Sequence, residues 1–160
     1  MKRSAWMTGF SAVLVTVAGA LAMQASLAGD KPSKAELEVE YRQGLYTVIA
    51  GNFGPLGAIA ADKAPFDAAE VKLRAGRVAY LAPILKEAFP ADSSGVGHTA
   101  AKPEIWTDKA GFDKALQAFI DSSAALAAAA NGSDVGKIKA AIGETGKTCK
   151  ACHDKFKAKD

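Results

Sequence analysis

Cys149, Cys152 and His153 fall within one run, Cys149-Lys150-Ala151-Cys152-His153, whose spacing suits one chemistry above others. Two thiols three residues apart can each add to a vinyl group of haem, while the imidazole after the second swings beneath the ring and ligates the iron. That is the attachment pattern of a covalently bound c-type haem. Two other uses of these residue types fit less well. A thioredoxin-like redox pair sits at a helix N-terminus after a strand, and no β-type alternation precedes Cys149. A structural zinc ion takes four ligands, and beyond these three the chain offers only His98 as a second histidine. The adjacency of Cys152 and His153 is also awkward for a compact tetrahedral site. One haem c, held through both thiols and ligated by His153, is therefore the expected cofactor.

The beginning of the chain indicates where that chemistry takes place. Lys2 and Arg3 are followed by an apolar stretch over about 10–21, and Ser26-Leu27-Ala28 supplies small residues for cleavage. This is the pattern of a cleaved secretory signal over 1–28, and a periplasmic location follows. The apolar run is too short, and too soon followed by polar residues, for a lasting membrane span. No second run approaches membrane length, so no stable membrane insertion is expected. The remaining 29–160 form one domain, long enough to bury a core of its own.

Removing Lys2 and Arg3 from the 20 basic residues leaves 18 against 17 acidic ones, and two haem propionates would tip that near-neutral balance slightly acidic. No basic cluster with interleaved aromatics appears, which argues against a nucleic-acid partner. Both cysteines belong to the haem motif, so no structural disulfide is available even though an exported compartment would permit one. Met1, Met7 and Met23 all lie in the expected leader. The mature chain then has no methionine to serve as a sixth iron ligand, the usual choice of a low-spin electron carrier.

The elements that must position these groups read as helical throughout. A first helix is expected over about 34–52, with Leu37, Tyr41, Leu45 and Val48 on one stripe and Tyr46, Ile49 and Phe53 on the next. So broad an apolar face can serve a core together with a cofactor or subunit contact. Asn52, Gly54, Pro55 and Gly57 predict an irregular crossing up to Pro65. Asp67, with Glu70 three residues on, reads as the N-cap of a second helix buried through Val71, Val78, Leu81, Leu85 and Phe89, and Pro83 predicts a kink or early end. Residues 90–102, rich in Gly, Ser and Ala, read as a loop, and His98 within it as a solvated side chain rather than a distal ligand. A third helix starts near Thr107 as cap and buries Phe112, Leu116, Phe119, Ser123, Leu126 and Ala130. Asn131-Gly132 ends it, and Ser133 is placed to cap a fourth. That last helix carries Val135, Ile138, Ile142, Thr145, Cys149, Cys152 and Phe156 on a heptad-like seam, so both sulfurs face the core. An all-α four-helix bundle housing the haem between facing helices accounts for nearly the whole mature chain.

A C-terminal Cys-x-x-Cys-His on the last helix of an exported, all-helical chain resembles the class II c-type cytochromes, specifically the cytochrome c′ family. Tyr41-Arg42-Gln43, Asn52-Phe53-Gly54, Ala64-Pro65-Phe66-Asp67-Ala68-Ala69, Pro103-Glu104-Ile105-Trp106 and the run from Cys149 to Asp154 carry the resemblance, which spans essentially 35–160. It implies an antiparallel four-helix bundle, a homodimer, and a pentacoordinate high-spin haem with His153 as its one protein axial ligand. It also implies that Arg42 and Gln43 hydrogen-bond a haem propionate, a role their donors suit. Tyr46 falls where the family packs a residue, often apolar, over the open iron face, and where six-coordinate relatives carry methionine. Its bulk can shield the sixth site and its hydroxyl can meet a bound diatomic molecule. Lys157 stands four residues after His153, on the same helix face, where relatives carry arginine near the proximal side; lysine keeps the charge without the planar fork.

Binding of small diatomic gases, nitric oxide foremost and carbon monoxide as well, is the function these features favour. Electron exchange with redox partner proteins is compatible with it, and a six-coordinate low-spin carrier is the alternative. Peroxidase-type chemistry normally wants a distal acid–base pair, and no mature histidine is placed to supply one, so a non-enzymatic protein is expected.

Overall fold

The computed structural model describes residues 31–159; the expected leader over 1–28 and its cleavage site lie outside them. Four long helices dominate. They are α1 (Lys34–Ala60), α2 (Ala68–Leu81), α4 (Lys109–Ala129) and α5 (Val135–Phe156), with a single-turn α3 (Glu104–Thr107) between the second and third. α1 packs on α2 and α5, and α4 packs on α2 and α5, which closes the ring of a four-helix bundle. Among the described residues no helix is long and apolar enough to cross a membrane.

Helix starts follow side-chain chemistry. Ser33 and Glu36 form a reciprocal capping box at α1, and Asp67 Oδ1 accepts from the Glu70 N–H at α2, satisfying donors that have no partner within the helix. Two expected caps move by one residue. Asp108, not Thr107, caps α4 by accepting from the Gly111 N–H, while the Thr107 hydroxyl donates to the Pro103 carbonyl. Asp134, not Ser133, caps α5 through the Lys137 N–H. In both places a carboxylate beside a hydroxyl takes the cap, where its charge also complements the positive end of the helix dipole.

The first helix is longer than its glycines and proline predict: α1 continues past Asn52, Gly54, Pro55 and Gly57 to Ala60. Pro55 cannot donate to the Gly51 carbonyl, the bond an ordinary residue would make there. Arg74 Nη1, from α2, donates to that carbonyl instead at 3.0 Å. Burial of Leu56 and Ile59, at 0% and 4% exposure, then favours continuing the helix over breaking it. At Pro83 the expectation holds: α2 stops at Leu81 and the chain tightens into a 3₁₀ segment, Ala82–Glu87.

Two apolar clusters fill the bundle. One is aliphatic, built from Leu56, Ile59, Val71, Ala75, Leu126, Ala130, Ile138 and Ile142. The other gathers Ile49, Val78, Leu85, Ile105, Phe112, Leu116, Phe119 and Phe156, with Tyr46, Phe89, Trp106, Cys149 and Cys152 half-buried against it. The expected faces of α4 and α5 are largely the buried ones, though Val135 is exposed. On α1 the two expected stripes part company. Ile49 is buried and Tyr46 and Phe53 join the core, as does Leu45 from the other stripe, whereas Leu37, Tyr41 and Val48 are exposed, because the α1 face turned to α2 and α5 is the one carrying Val39, Arg42, Ile49, Asn52, Leu56 and Ile59.

Candidate haem site

Cys149 and Cys152 lie on consecutive positions of the inward seam of α5, between buried Thr145 and buried Phe156. Burial pushes both thiols above the ordinary cysteine range, so at neutral pH they are protonated thiols and not the reactive thiolates of a redox pair. His153, next in sequence, points away from the core and is exposed. Partial loss of solvent and then the nearby Lys157 charge lower its basicity, with Asp154 opposing. These effects favour neutral imidazole, the form with a lone pair for a metal.

The last turn of α5 is clamped from outside the bundle. Lys102 donates its backbone N–H to the Phe156 carbonyl and its Nζ to the Lys155 carbonyl, while Ala158 donates to the carbonyl of Ala100. Lys155 in turn forms an ion pair with the capping carboxylate of Asp108. A side chain at position 111 would collide with that carboxylate, so the cap, the ion pair and Gly111 form one unit. Lys157, expected on the helix face of His153, stands where that helix ends. α5 ends at Phe156, and Lys157 is its extended C-cap, donating its N–H to the His153 carbonyl and bridging to Ala101. Pairing with the Ala100–Lys102 strap competes successfully with one more helical residue. Its charge is nevertheless close enough to act on His153.

Facing the cysteines from α1 is Tyr46. Burial, followed by the proximity of Cys152 and Cys149, drives its phenol far above the ordinary range, and Arg42 opposes this. Its ring meets Phe89 edge-on at 6.3 Å, and Phe89 meets Phe112 at 4.8 Å in the same way, the geometry that aromatic quadrupoles prefer. Tyr46 is therefore neutral and lies within electrostatic reach of both sulfurs.

Arg42, one turn earlier on α1, is only 2% exposed. Its Nη1 donates to Ser93 Oγ at 2.7 Å and its Nη2 to the Ser93 carbonyl at 3.4 Å. The rings of Phe89 and Trp106 lie 5.4 and 5.7 Å from its Cζ. Burial lowers its pKa, yet a guanidinium stays charged in proteins. Gln43 is exposed and donates Nε2 to the His98 carbonyl at 2.7 Å, tying the loop to α1, and the His98 side chain is exposed as expected.

These residues fit a haem. The Nε of Arg42 is a buried donor with no partner, on a cation whose two hydrogen bonds both run to neutral Ser93. A carboxylate is the group such a donor calls for. Half-buried aromatics and two protonated thiols complete the complement needed for a large, flat, mostly apolar ring with acidic edges. Ser93, Phe89 and Trp106 were not legible as site residues. Ser93 sits in a segment whose composition reads as a solvated loop, although it is fully buried.

Comparison with known proteins agrees with this chemistry. The family model for Cytochrome C′ matches residues 38–157. Cytochrome c′ of Rubrivivax gelatinosus is 46% identical over 124 residues, covering 76% of this chain and 94% of that protein. The structure of cytochrome c prime from Shewanella frigidimarina superposes with a TM-score of 0.75 at 46% identity, covering 81% of this chain and all of the other. A nitric oxide complex of a variant cytochrome c prime from Alcaligenes xylosoxidans superposes with a TM-score of 0.73 at 38% identity, covering 81% of this chain and 100% of its own. The chain belongs to the cytochrome c′ family, whose cofactor is a c-type haem.

Proposed function

We propose that this protein is an exported, non-enzymatic carrier of one covalently attached haem that binds small diatomic gases, nitric oxide foremost. When bound, the haem supplies a redox-active iron with an axial position open to a neutral diatomic ligand. Cys149 and Cys152 hold it by thioether links, and His153 is the one protein axial ligand. The observation that carries the reading is Tyr46: a neutral, half-buried phenol in one apolar cluster with both cysteines, in a chain with no methionine after position 23. A bulky aromatic there excludes water and anions from the distal face and admits a small neutral molecule once it moves aside. Relatives of this chain include a cytochrome c prime solved as its nitric oxide complex, which supports the choice of gas.

Arg42 holds a haem propionate through its unpartnered Nε. Gln43 stands beside it on α1, and Lys157 contributes positive charge near His153. The leader over 1–28 is removed on export to the periplasm, leaving 29–160 as the working domain. There the protein forms a homodimer, for which exposed Leu37, Tyr41 and Val48 on α1 and Leu73 and Tyr80 on α2 supply apolar surface, and it exchanges electrons with redox partner proteins.

Absorption spectroscopy of the purified holoprotein tests the reading. High-spin spectra are expected for the oxidised and reduced forms, with a new spectrum on adding nitric oxide. Low-spin spectra in both redox states that nitric oxide leaves unchanged would overturn it in favour of a six-coordinate electron carrier.

A further inference from the structure

The deepest charge in the described residues is held by a segment outside the long helices. Arg42 is the only charged side chain among the described residues in the buried set, and its hydrogen bonds both end on Ser93, in the short 3₁₀ turn Ala91–Ser93. Ser93 is itself fixed: its hydroxyl donates to the Pro90 carbonyl at 2.8 Å. Trp106 Nε1 donates to the same carbonyl at 3.1 Å, and the Trp106 and Phe89 rings both lie against the guanidinium. The hydroxyl thus uses its one proton on Pro90 and its lone pair on Arg42, so its direction is determined.

We infer that Ser93 is a positioning residue for the Arg42–propionate contact. An arginine side chain has considerable rotamer freedom, and a buried guanidinium is stabilised only when its donors meet acceptors. By occupying Nη1 and Nη2, Ser93 sets the plane of the guanidinium and leaves Nε–H as the buried donor for a carboxylate. Trp106 acts one step further back, by holding Pro90. This inference rests on the proposed assignment of Arg42 to a haem propionate and adds the residue that aims it.

The test uses resonance Raman spectra of the holoprotein, in which the propionate bending band reports hydrogen bonding to the propionate carboxylates. Arg42→Lys, which keeps the charge but loses the fork, is expected to move the band to lower wavenumber. Ser93→Ala is expected to move it in the same direction by a smaller amount, and Ser93→Thr, which keeps the hydroxyl, to restore it. A purely structural role for Ser93 would lower the melting temperature without moving the band. If Arg42→Lys moves the band and Ser93→Ala does not, the positioning role is overturned while the propionate assignment stands. If Arg42→Lys and Arg42→Leu both leave it in place, the assignment itself fails and the inference falls with it. Should Arg42→Leu not fold, Arg42→Lys alone decides that arm.

Discussion

The two apolar clusters of the bundle are built from different materials. The aliphatic one, around Leu56, Val71, Leu126, Ile138 and Ile142, holds these five side chains at 0–1% exposure and meets aromatics only at its margin, through Phe53 and Phe66. The cluster around the cysteines is rich in aromatics, and many of its members, Tyr46, Phe53, Phe89, Trp106, Cys149 and Cys152 among them, are only half-buried. It also adjoins a buried cation, Arg42, with an unpartnered donor. Close-packed aliphatics make a self-sufficient core. A ring of half-buried aromatics and thiols makes a seat for something else. One region is suited to supply stability and the other, under the proposed function, to seat the cofactor, and they share the same helices.

The sharpest test of that division is at the sulfurs. Cys149→Ser with Cys152→Ser abolishes covalent haem, read as complete loss of haem-dependent peroxidase staining after denaturing electrophoresis, while circular dichroism shows the chain still helical. A chain that unfolds completely would show instead that the cofactor region is needed for the fold.

Next in size is Leu126→Ala, which removes a fully buried side chain from the aliphatic cluster. It costs about 2–5 kcal/mol, measured by denaturant unfolding of the holoprotein, and leaves the absorption spectrum unchanged. A shift of the haem bands would break the separation between the clusters.

Tyr46→Leu works the other way. It raises the carbon monoxide association rate by about tenfold, the consequence of removing roughly 1.4 kcal/mol of displacement cost, as followed by stopped flow, with little change in stability. An unchanged rate would place Tyr46 in the packing alone.

The smallest effect is on the acid side. Asp108 is held below the ordinary carboxylate range, first by its hydrogen bond from Lys155 and then by the Gly111 N–H. A depressed carboxylate contributes stability above its unfolded-state pKa and loses it as pH falls through its lowered native value. Asp108→Asn is therefore expected to flatten the fall in melting temperature below the usual carboxylate range, by a modest amount because the group is exposed. A wild-type slope in the variant would show that the clamp on the end of α5 is not electrostatic.

Much of this was legible from residue types alone. Helical periodicity placed Phe112, Leu116, Phe119 and Leu126 on one inward face and Ile138, Ile142 and Thr145 on another, because such faces are set by local geometry. Helix ends were less legible. The choice between Thr107 and Asp108, or Ser133 and Asp134, turns on which oxygen reaches a free N–H. The passage of α1 through Pro55 depends on Arg74, 23 residues beyond the carbonyl it satisfies.

Sequence by itself determined the candidate donor set, since two thiols and an imidazole at fixed spacing on one helix are brought together by the chain's own covalent geometry. It also determined the absence of a methionine ligand beyond Met23. Tertiary structure decided what surrounds that motif: which stripe of α1 turns inward, how the Ala100–Lys102 strap meets the helix end at Lys157, and how Ser93, buried within a segment of loop-like composition, comes to hold Arg42. Those are contacts between residues far apart in the chain, and only the packing of one helix against another can select them.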